Sequence, residues 1–160
     1  MKSIITCLIV LLIVNTIIRA QQVKIVKWPE VQAILTQQSD TTYIVNFWAT
    51  WCKPCVAELP YFEKIQEEYQ TKNIKILLIS MDFASEFTTR VVPFVAHKKL
   101  ISKVWVLNEP DANSWIDKVN SSWSGAIPAT LIFNNFKKKS SFFEQKLEYN
   151  QLVQEVGRFL

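Results

Sequence analysis

Apolar positions along this chain fall into two patterns: short continuous runs, and longer segments where apolar residues return every three or four positions. Residues 43–48 and 74–79 are nearly continuous in apolar residues and β-formers, which predicts strands buried on both faces. Residues 103–107 and 129–133 read as two further strands, and 23–26 as a short one. Trp28-Pro29-Glu30 opens a helix, with Pro29 in the first turn where its missing N–H costs nothing; Val31, Ile34 and Leu35 supply its apolar face. Beyond Cys52, the spacing of Val56, Leu59, Phe62, Ile65 and Tyr69 predicts a second helix, which Pro60 should kink.

Ser85 is placed to cap a helix over 86–100 that Pro93 interrupts. Residues 111–119 predict a short helix with Trp115 and Ile116 inward, and 121–126 a loop containing Trp123. Asn134-Asn135 marks a turn, residues 140–145 its hairpin partner, and 147–160 a closing helix with Leu152, Val153, Val156 and Phe159 on one side. The order β-α-β-α-β-α-β, ending β-β-α, predicts one α/β domain: parallel strands joined by helices, finished by an antiparallel hairpin.

Composition narrows the function classes. Two glycines in 160 residues are too few for the glycine-rich loops that cradle nucleotides. The first residues form a short positive region, an apolar core over 4–14 broken only by Thr6, and Ala20 before Gln21-Gln22. This pattern predicts a signal peptide over 1–20 and a mature domain over 21–160. An uncleaved anchor is the competing reading, although a bilayer span needs roughly 20 apolar residues and this run is shorter. Without Lys2 and Arg19 the balance is 16 basic against 14 acidic residues. That small, dispersed excess gives no sign of nucleic-acid binding. Lys137-Lys138-Lys139 reads as a solvated hairpin tip, and His97, among lysines, as a solvated helix end.

Cys7 falls in the leader, which leaves Cys52 and Cys55 as the only cysteines of the mature chain. A bridge across two intervening residues closes almost no loop, so its purpose is chemical rather than structural. Zinc would need two more ligands, and His97 is the only histidine. The pattern places Cys52 at a strand-to-helix junction, at the positive end of a helix, with Cys55 one turn inside. That geometry favours a reactive thiolate.

Trp51-Cys52-Lys53-Pro54-Cys55 resembles the thioredoxin active site. Asn46-Phe47-Trp48-Ala49-Thr50 before it and Glu58-Leu59-Pro60 after it resemble the TlpA/ResA-like branch of exported thioredoxins. Gly125-Ala126-Ile127-Pro128-Ala129-Thr130 looks like that family's proline loop. The resemblance covers about residues 22–160 and implies a thioredoxin-like fold, a central mixed sheet with flanking helices, carrying an insertion after the second βα unit. It further implies that Cys52 is the exposed nucleophile, Cys55 the buried resolving thiol, and Pro128 a cis-proline facing them. Ile127 would offer its backbone to an extended client. Lys53 would add positive charge beside Cys52, Pro54 would stiffen the first turn, and Trp48 and Trp51 would flank the dithiol. Trp123 is read either as a wall of the client groove or as a cap on the core.

Cytoplasmic-type thioredoxins place a buried Asp six residues before the first cysteine, where this chain has Asn46. Glu58 and Asp82 are the candidate replacements for proton transfer; a salt bridge or helix cap is the alternative for each. The resemblance implies an exported thiol:disulfide oxidoreductase of the periplasm or cell envelope that reduces protein disulfides. Exported protein thiols, apocytochrome c among them, would be its clients. A membrane electron donor would re-reduce it, and no cofactor beyond the Cys52–Cys55 pair is expected. The alternatives are a disulfide-forming oxidant, typically with a histidine between its cysteines, and a client-binding module with an incidental dithiol. No Pro-x-x-x-Thr-x-x-Cys surrounds Cys52, which leaves a peroxidase without its motif.

Overall fold

The computed structural model describes residues 23–160; the predicted leader, 1–20, lies outside the described residues. The strands are β1 (Val23–Val26), β2 (Thr42–Trp48), β3 (Ile74–Ser80), β4 (Lys103–Leu107), β5 (Ala129–Asn134) and β6 (Lys139–Phe143). They form one sheet in the order β1-β4-β3-β2-β5-β6. The first four are mutually parallel, whereas β5 runs antiparallel to β2 and β6 antiparallel to β5. The helices are α1 (Trp28–Thr36), α2 (Lys53–Glu68), α3 (Val92–Lys98), α4 (Ile116–Val119) and α5 (Tyr149–Gly157).

Alternation along the strands sorts side chains into two cores. Ile44 and Trp48 of β2 join Leu59, Phe62 and Ile65 of α2, Val95 of α3, and Leu152 and Val156 of α5. Tyr43, Val45 and Phe47 face the other way, onto Val31 of α1 and Trp115 and Val119 around α4. Asn46, between Ile44 and Trp48 in register, therefore enters the α2 side.

β5 starts at the end of the sheet where β4 finishes and runs antiparallel to β2, which makes the sheet mixed, as expected. Three expectations about elements need correcting. The predicted 111–119 helix is split into a 3-10 turn, Ala112–Ser114, and α4, with Trp115 buried between them. Ser85 caps nothing: Phe83 precedes a 3-10 turn (Ala84–Glu86), a π-helical turn follows (Phe87–Val91), and α3 begins only at Val92. Pro93 has no N–H to return to Thr89, so it suits the first turn of a new helix better than the middle of an old one. The Lys137–Lys139 run is more than a solvated tip. Lys137 Nζ donates to the Phe159 and Leu160 carbonyls (2.8 and 3.2 Å) and Lys139 Nζ to that of Arg158 (2.8 Å), satisfying the end of α5. Pro60 lies within α2, which is assigned as one helix from Lys53 to Glu68.

An aromatic cluster ties the α1 side together. Trp115, 1% exposed, stacks on Trp28 and Phe47 with ring centroids 5.8 and 6.0 Å apart, and meets Trp123 edge-on at 5.5 Å. Replacing Trp115 with Ala should cost about 3–5 kcal/mol of folding stability. A urea midpoint unchanged in the variant would show that the cluster does not hold this layer.

Candidate active site

The site grows from the end of β2. Both faces of that strand are buried, so the chain leaves the sheet at Trp48 with nowhere to continue but outward. It turns at once: Cys52 N–H donates to the Ala49 carbonyl (3.1 Å), and the Cys52 carbonyl accepts from Val56 N–H (3.0 Å) to start α2. Cys52 is the N-cap, with extended dihedrals, and its Sγ accepts from Cys55 N–H at 3.4 Å. The Cys55 N–H aimed at that sulfur, together with the helix dipole, favours negative charge there; Pro54 has no N–H to add. Cys52 and Cys55 form a disulfide with Cα atoms 5.3 Å apart. Cys55 is fully buried and Cys52 6% exposed, so the first cysteine is more enclosed than the sequence reading held. Lys53 and Pro54 are exposed, and Trp51 is 58% exposed. Trp48 is fully buried against Phe94, at 5.3 Å between ring centroids, in the core cluster that also holds Cys52 and Cys55.

The opposite wall arrives from the far end of the chain. Phe47 pairs with Ala129 across the antiparallel β2–β5 ladder, which sets Ile127 and Pro128 beside the helix start. The Ile127–Pro128 peptide bond is cis, Pro128 is buried, and the Ile127 carbonyl oxygen lies 3.8 Å from Cys52 Sγ.

Two side chains hold this loop. Trp123 Nε1 donates to the Ala126 carbonyl at 2.8 Å, and its buried ring lies 4.6 Å from that of Phe47, so it caps the core rather than lining a groove. The Glu144 carboxylate, just past β6, accepts from Ser124 N–H (3.1 Å), Ala126 N–H (3.0 Å) and the Ser124 hydroxyl. The Ser124 hydroxyl first, then the two backbone N–H groups, hold the Glu144 pKa below the usual carboxylate range. Gly125 has φ +92°, and a Cβ there would meet Ile116 Cδ1 at 3.0 Å, so both backbone and packing require glycine. Glu144 was missed by sequence reasoning, and an acid at a strand end, twenty residues from what it binds, carries no local signal.

The two candidate carboxylates separate. Glu58 is fully buried beneath the dithiol helix, three residues past Cys55 on the same helical face. Its Oε1 accepts from Asn46 Nδ2 (2.8 Å) and its Oε2 from Leu147 N–H (2.7 Å). Burial raises its pKa to about 7, opposed by the Leu147 and Asn46 hydrogen bonds and by Lys146, and assisted by Glu148. Asn46 Nδ2 also donates to Thr130 Oγ1 (3.0 Å), while its buried Oδ1 has no partner. Asp82, also buried, accepts from Thr50 N–H (2.9 Å), Thr50 Oγ1 (2.6 Å) and Ser80 Oγ (2.7 Å). It is neither a salt bridge nor a helix cap: it clamps the loop that carries Trp51 and Cys52. His97 is exposed, in the last turn of α3. Among the described residues no group of three or more His, Cys, Asp or Glu is placed to hold a metal ion, and no helix is long and apolar enough to cross a membrane.

Fold, helix-capping dithiol and facing proline loop together define a protein of thioredoxin-like fold, similar in these features to the TlpA/ResA-like proteins. The chain belongs to the AhpC/TSA family, whose pattern matches residues 20–138. A thiol-disulfide oxidoreductase ResA from Oceanobacillus iheyensis is 49% identical over 39 residues, 24% of this chain and 20% of that relative. The chain is thus matched over about a fifth of that relative's length. A thioredoxin-related protein from Neisseria meningitidis serogroup B has a similar fold, with TM-score 0.66 and 17% identity over 79% of this chain and 89% of that one. A secreted thiol-disulfide isomerase from Corynebacterium glutamicum matches with TM-score 0.60 and 19% identity, over 75% of this chain and 71% of that one. At these identities the two structures show the shared fold.

Glu144→Ala removes the acceptor for two amides of the proline loop. Hydrogen exchange at Ser124 and Ala126 should speed up about tenfold or more, with the amides of β2 unaffected. Because the Glu144 pKa is depressed, protection in the native protein should be complete above the ordinary carboxylate pKa and fade as pH falls through the lowered value. Exchange rates equal in variant and native protein would show that the clamp is idle.

Proposed function

We propose that this protein is an exported thiol:disulfide oxidoreductase that reduces protein disulfides. The observation that carries the reading is the Cys52–Cys55 pair at the start of α2, with Cys52 Sγ 3.8 Å from the Ile127 carbonyl oxygen. In the reduced protein the Cys52 thiolate attacks one sulfur of a client disulfide. A bond forms between Cys52 and that sulfur, and the client's other sulfur leaves as a thiolate and takes a proton. Cys55 then loses its proton and attacks Cys52 Sγ, releasing the second client thiolate and leaving the Cys52–Cys55 disulfide. Two electrons pass to the client, and no cofactor is needed. Ile127, before the cis-proline, is placed to hydrogen-bond an extended client as a short strand addition.

Glu58 is the proposed acceptor of the Cys55 proton. It lies one helical turn away, buried, and its pKa of about 7 makes both of its forms accessible near neutrality. Lys53 adds positive charge beside Cys52, weakly because it is solvated. Pro54 stiffens the first turn. The predicted leader supports export to a periplasm or cell envelope, whether cleaved or retained as an anchor. A dithiol kept reduced in an oxidising compartment requires an electron supply, for which a membrane donor is proposed. Exported proteins with disulfides, apocytochrome c among them, are the proposed clients.

Insulin reduction with dithiothreitol tests the activity. Turnover should vanish in Cys52→Ser, while Cys55→Ser should accumulate a mixed disulfide with the client. Turnover that survives Cys52→Ser, or that the native protein never shows, would leave only a binding module. Direction is read from the reduction potential of the pair. A value near about −250 mV supports the reductant, and one near about −120 mV makes it an oxidant.

Glu58 also predicts a pH dependence of stability. Its pKa is raised in the folded protein, from 4.5 to about 7. The folded state therefore binds the extra proton, and the advantage is complete below about pH 4.5 and lost as pH rises through about 7. The oxidised protein should lose about 3 kcal/mol across that window, and Glu58→Gln should flatten the profile. A native profile that is flat or rises between these pH values overturns the assignment.

A further inference from the structure

We infer that Phe83 and Trp51 form an apolar platform beside the dithiol that selects clients whose disulfide cysteine is flanked by aromatic or branched aliphatic residues. This rests on the exchange activity proposed above. Phe83 is 76% exposed and Trp51 58%, the two most exposed aromatic side chains flanking this edge of the sheet. Strand register puts them together. In the parallel β2–β3 pair, Trp48 lies opposite Ser80, and Met81 N–H donates to the Trp48 carbonyl at 2.7 Å just past the strand ends. Two residues on, Thr50 and Asp82 are joined by hydrogen bonds of 2.6 and 2.9 Å. Trp51 and Phe83 are the next residue on each chain. The two aromatics therefore emerge from adjacent loops joined at Thr50 and Asp82, on the loop that leads into Cys52.

Single exposed apolar residues are ordinary; this pair differs in being held in place. Asp82 N–H donates to Ser80 Oγ (3.1 Å), and the Phe83 carbonyl accepts from Glu86 N–H (2.8 Å), which fixes the backbone on both sides of Phe83. Phe83 does not stack on any ring among the described residues, so nothing in the fold uses its side chain. A rigid, unused aromatic beside a nucleophile lowers the ordering cost of binding.

The local charges match an apolar occupant. Arg90 is paired with Glu86 at 3.1 Å, and Lys53 is the one exposed cation within the dithiol motif. Trp51 adjoins Cys52 in the chain, and Cys52 Sγ lies 3.8 Å from the Ile127 carbonyl oxygen. An extended client strand held at Ile127 would therefore present the residue flanking its cysteine to Trp51 and Phe83. The occupant is an extended polypeptide segment, not a small disulfide, which has no flanking side chain to place there.

The test uses the full chain and two peptides, each with one disulfide-forming cysteine flanked by Phe and Leu in one and by Ser and Asn in the other. Disulfide-linked dimers of each serve as substrates, and the same peptides with Ser for Cys serve as unreactive binding probes. Native protein should prefer the apolar peptide by about tenfold in kcat/KM and in probe affinity. Phe83→Ser should remove most of that preference, without changing the rate on a small non-aromatic disulfide such as bis(2-hydroxyethyl) disulfide. Equal kcat/KM and equal probe affinity for the two peptides, or a preference that survives Phe83→Ser, overturns the inference even with a normal small-disulfide rate. A native protein inert toward the small disulfide overturns the activity itself, and the probe measurement still judges the platform. A concentration-dependent dimer that Phe83→Ser dissolves would assign the face to a second copy of this chain and also overturn the inference.

Discussion

The antiparallel pairing of β2 with β5 is the constraint on which the site depends. Phe47 opposite Ala129 is one rung of a ladder, yet it fixes residues more than seventy positions apart at one edge of the sheet. Cys52 follows one strand at that edge and Pro128 precedes the other. A β5 parallel to β2 would have put the proline loop at the opposite end of the strands. Trp115 and Trp123, both in the connection from β4 to β5, anchor it to the α1 side of the core.

Around this ladder, polar groups define the loops. Asp82 binds both the N–H and the hydroxyl of Thr50, so the approach to Cys52 is tied to the end of β3. Glu144 and Trp123 together engage the N–H and the carbonyl of Ala126. Both backbone groups before Ile127 are thus satisfied inside the protein. A carboxylate that gathers several backbone donors costs little when its partners are fixed, and each donor it takes is one the loop cannot offer elsewhere. The Cys52 sulfur and the Ile127 carbonyl are thus positioned by acids bonded to their chain neighbours.

How much of this was legible follows the range of each signal. The central strands announced themselves because a strand buried on both faces is a continuous apolar run, and β2 and β3 came out within a residue or two of expectation. The dithiol, its helix and Ile127-Pro128 were legible as motifs. The segment after β3 was not: Pro93 signalled a break, but the turn from 3-10 to π-helical geometry at residues 84–91 depends on packing against Trp48 and Val95. Trp48 was read both as the end of a buried strand and as a flank of the dithiol; strand alternation sets it on the same face as Ile44, in the core cluster that also holds Cys52 and Cys55. Glu144 and the clamp role of Asp82 are contacts across 18 to 32 residues, made by acids that look like any solvated side chain in the sequence.

Asn46 was read as a missing acid, and the structure shows why the exchange is chemically coherent. The side chains of Asn46 on β2 and Glu58 on α2 meet at 2.8 Å, so a buried carboxyl stands beside this position, carried by the helix rather than by the strand. Two opposing effects act on it. Burial favours the neutral acid, while the Asn46 amide and the Leu147 N–H favour the carboxylate. Burial outweighs the hydrogen bonds, which leaves Glu58 with a pKa of about 7 and able to change protonation close to neutral pH. An aspartate at position 46 would break that arrangement, because two carboxylates in contact cannot both ionise. One of them would stay protonated far above neutrality, and the donor that Glu58 uses would be gone. The asparagine is therefore part of the same buried acid, supplying the hydrogen bond that keeps its proton exchangeable.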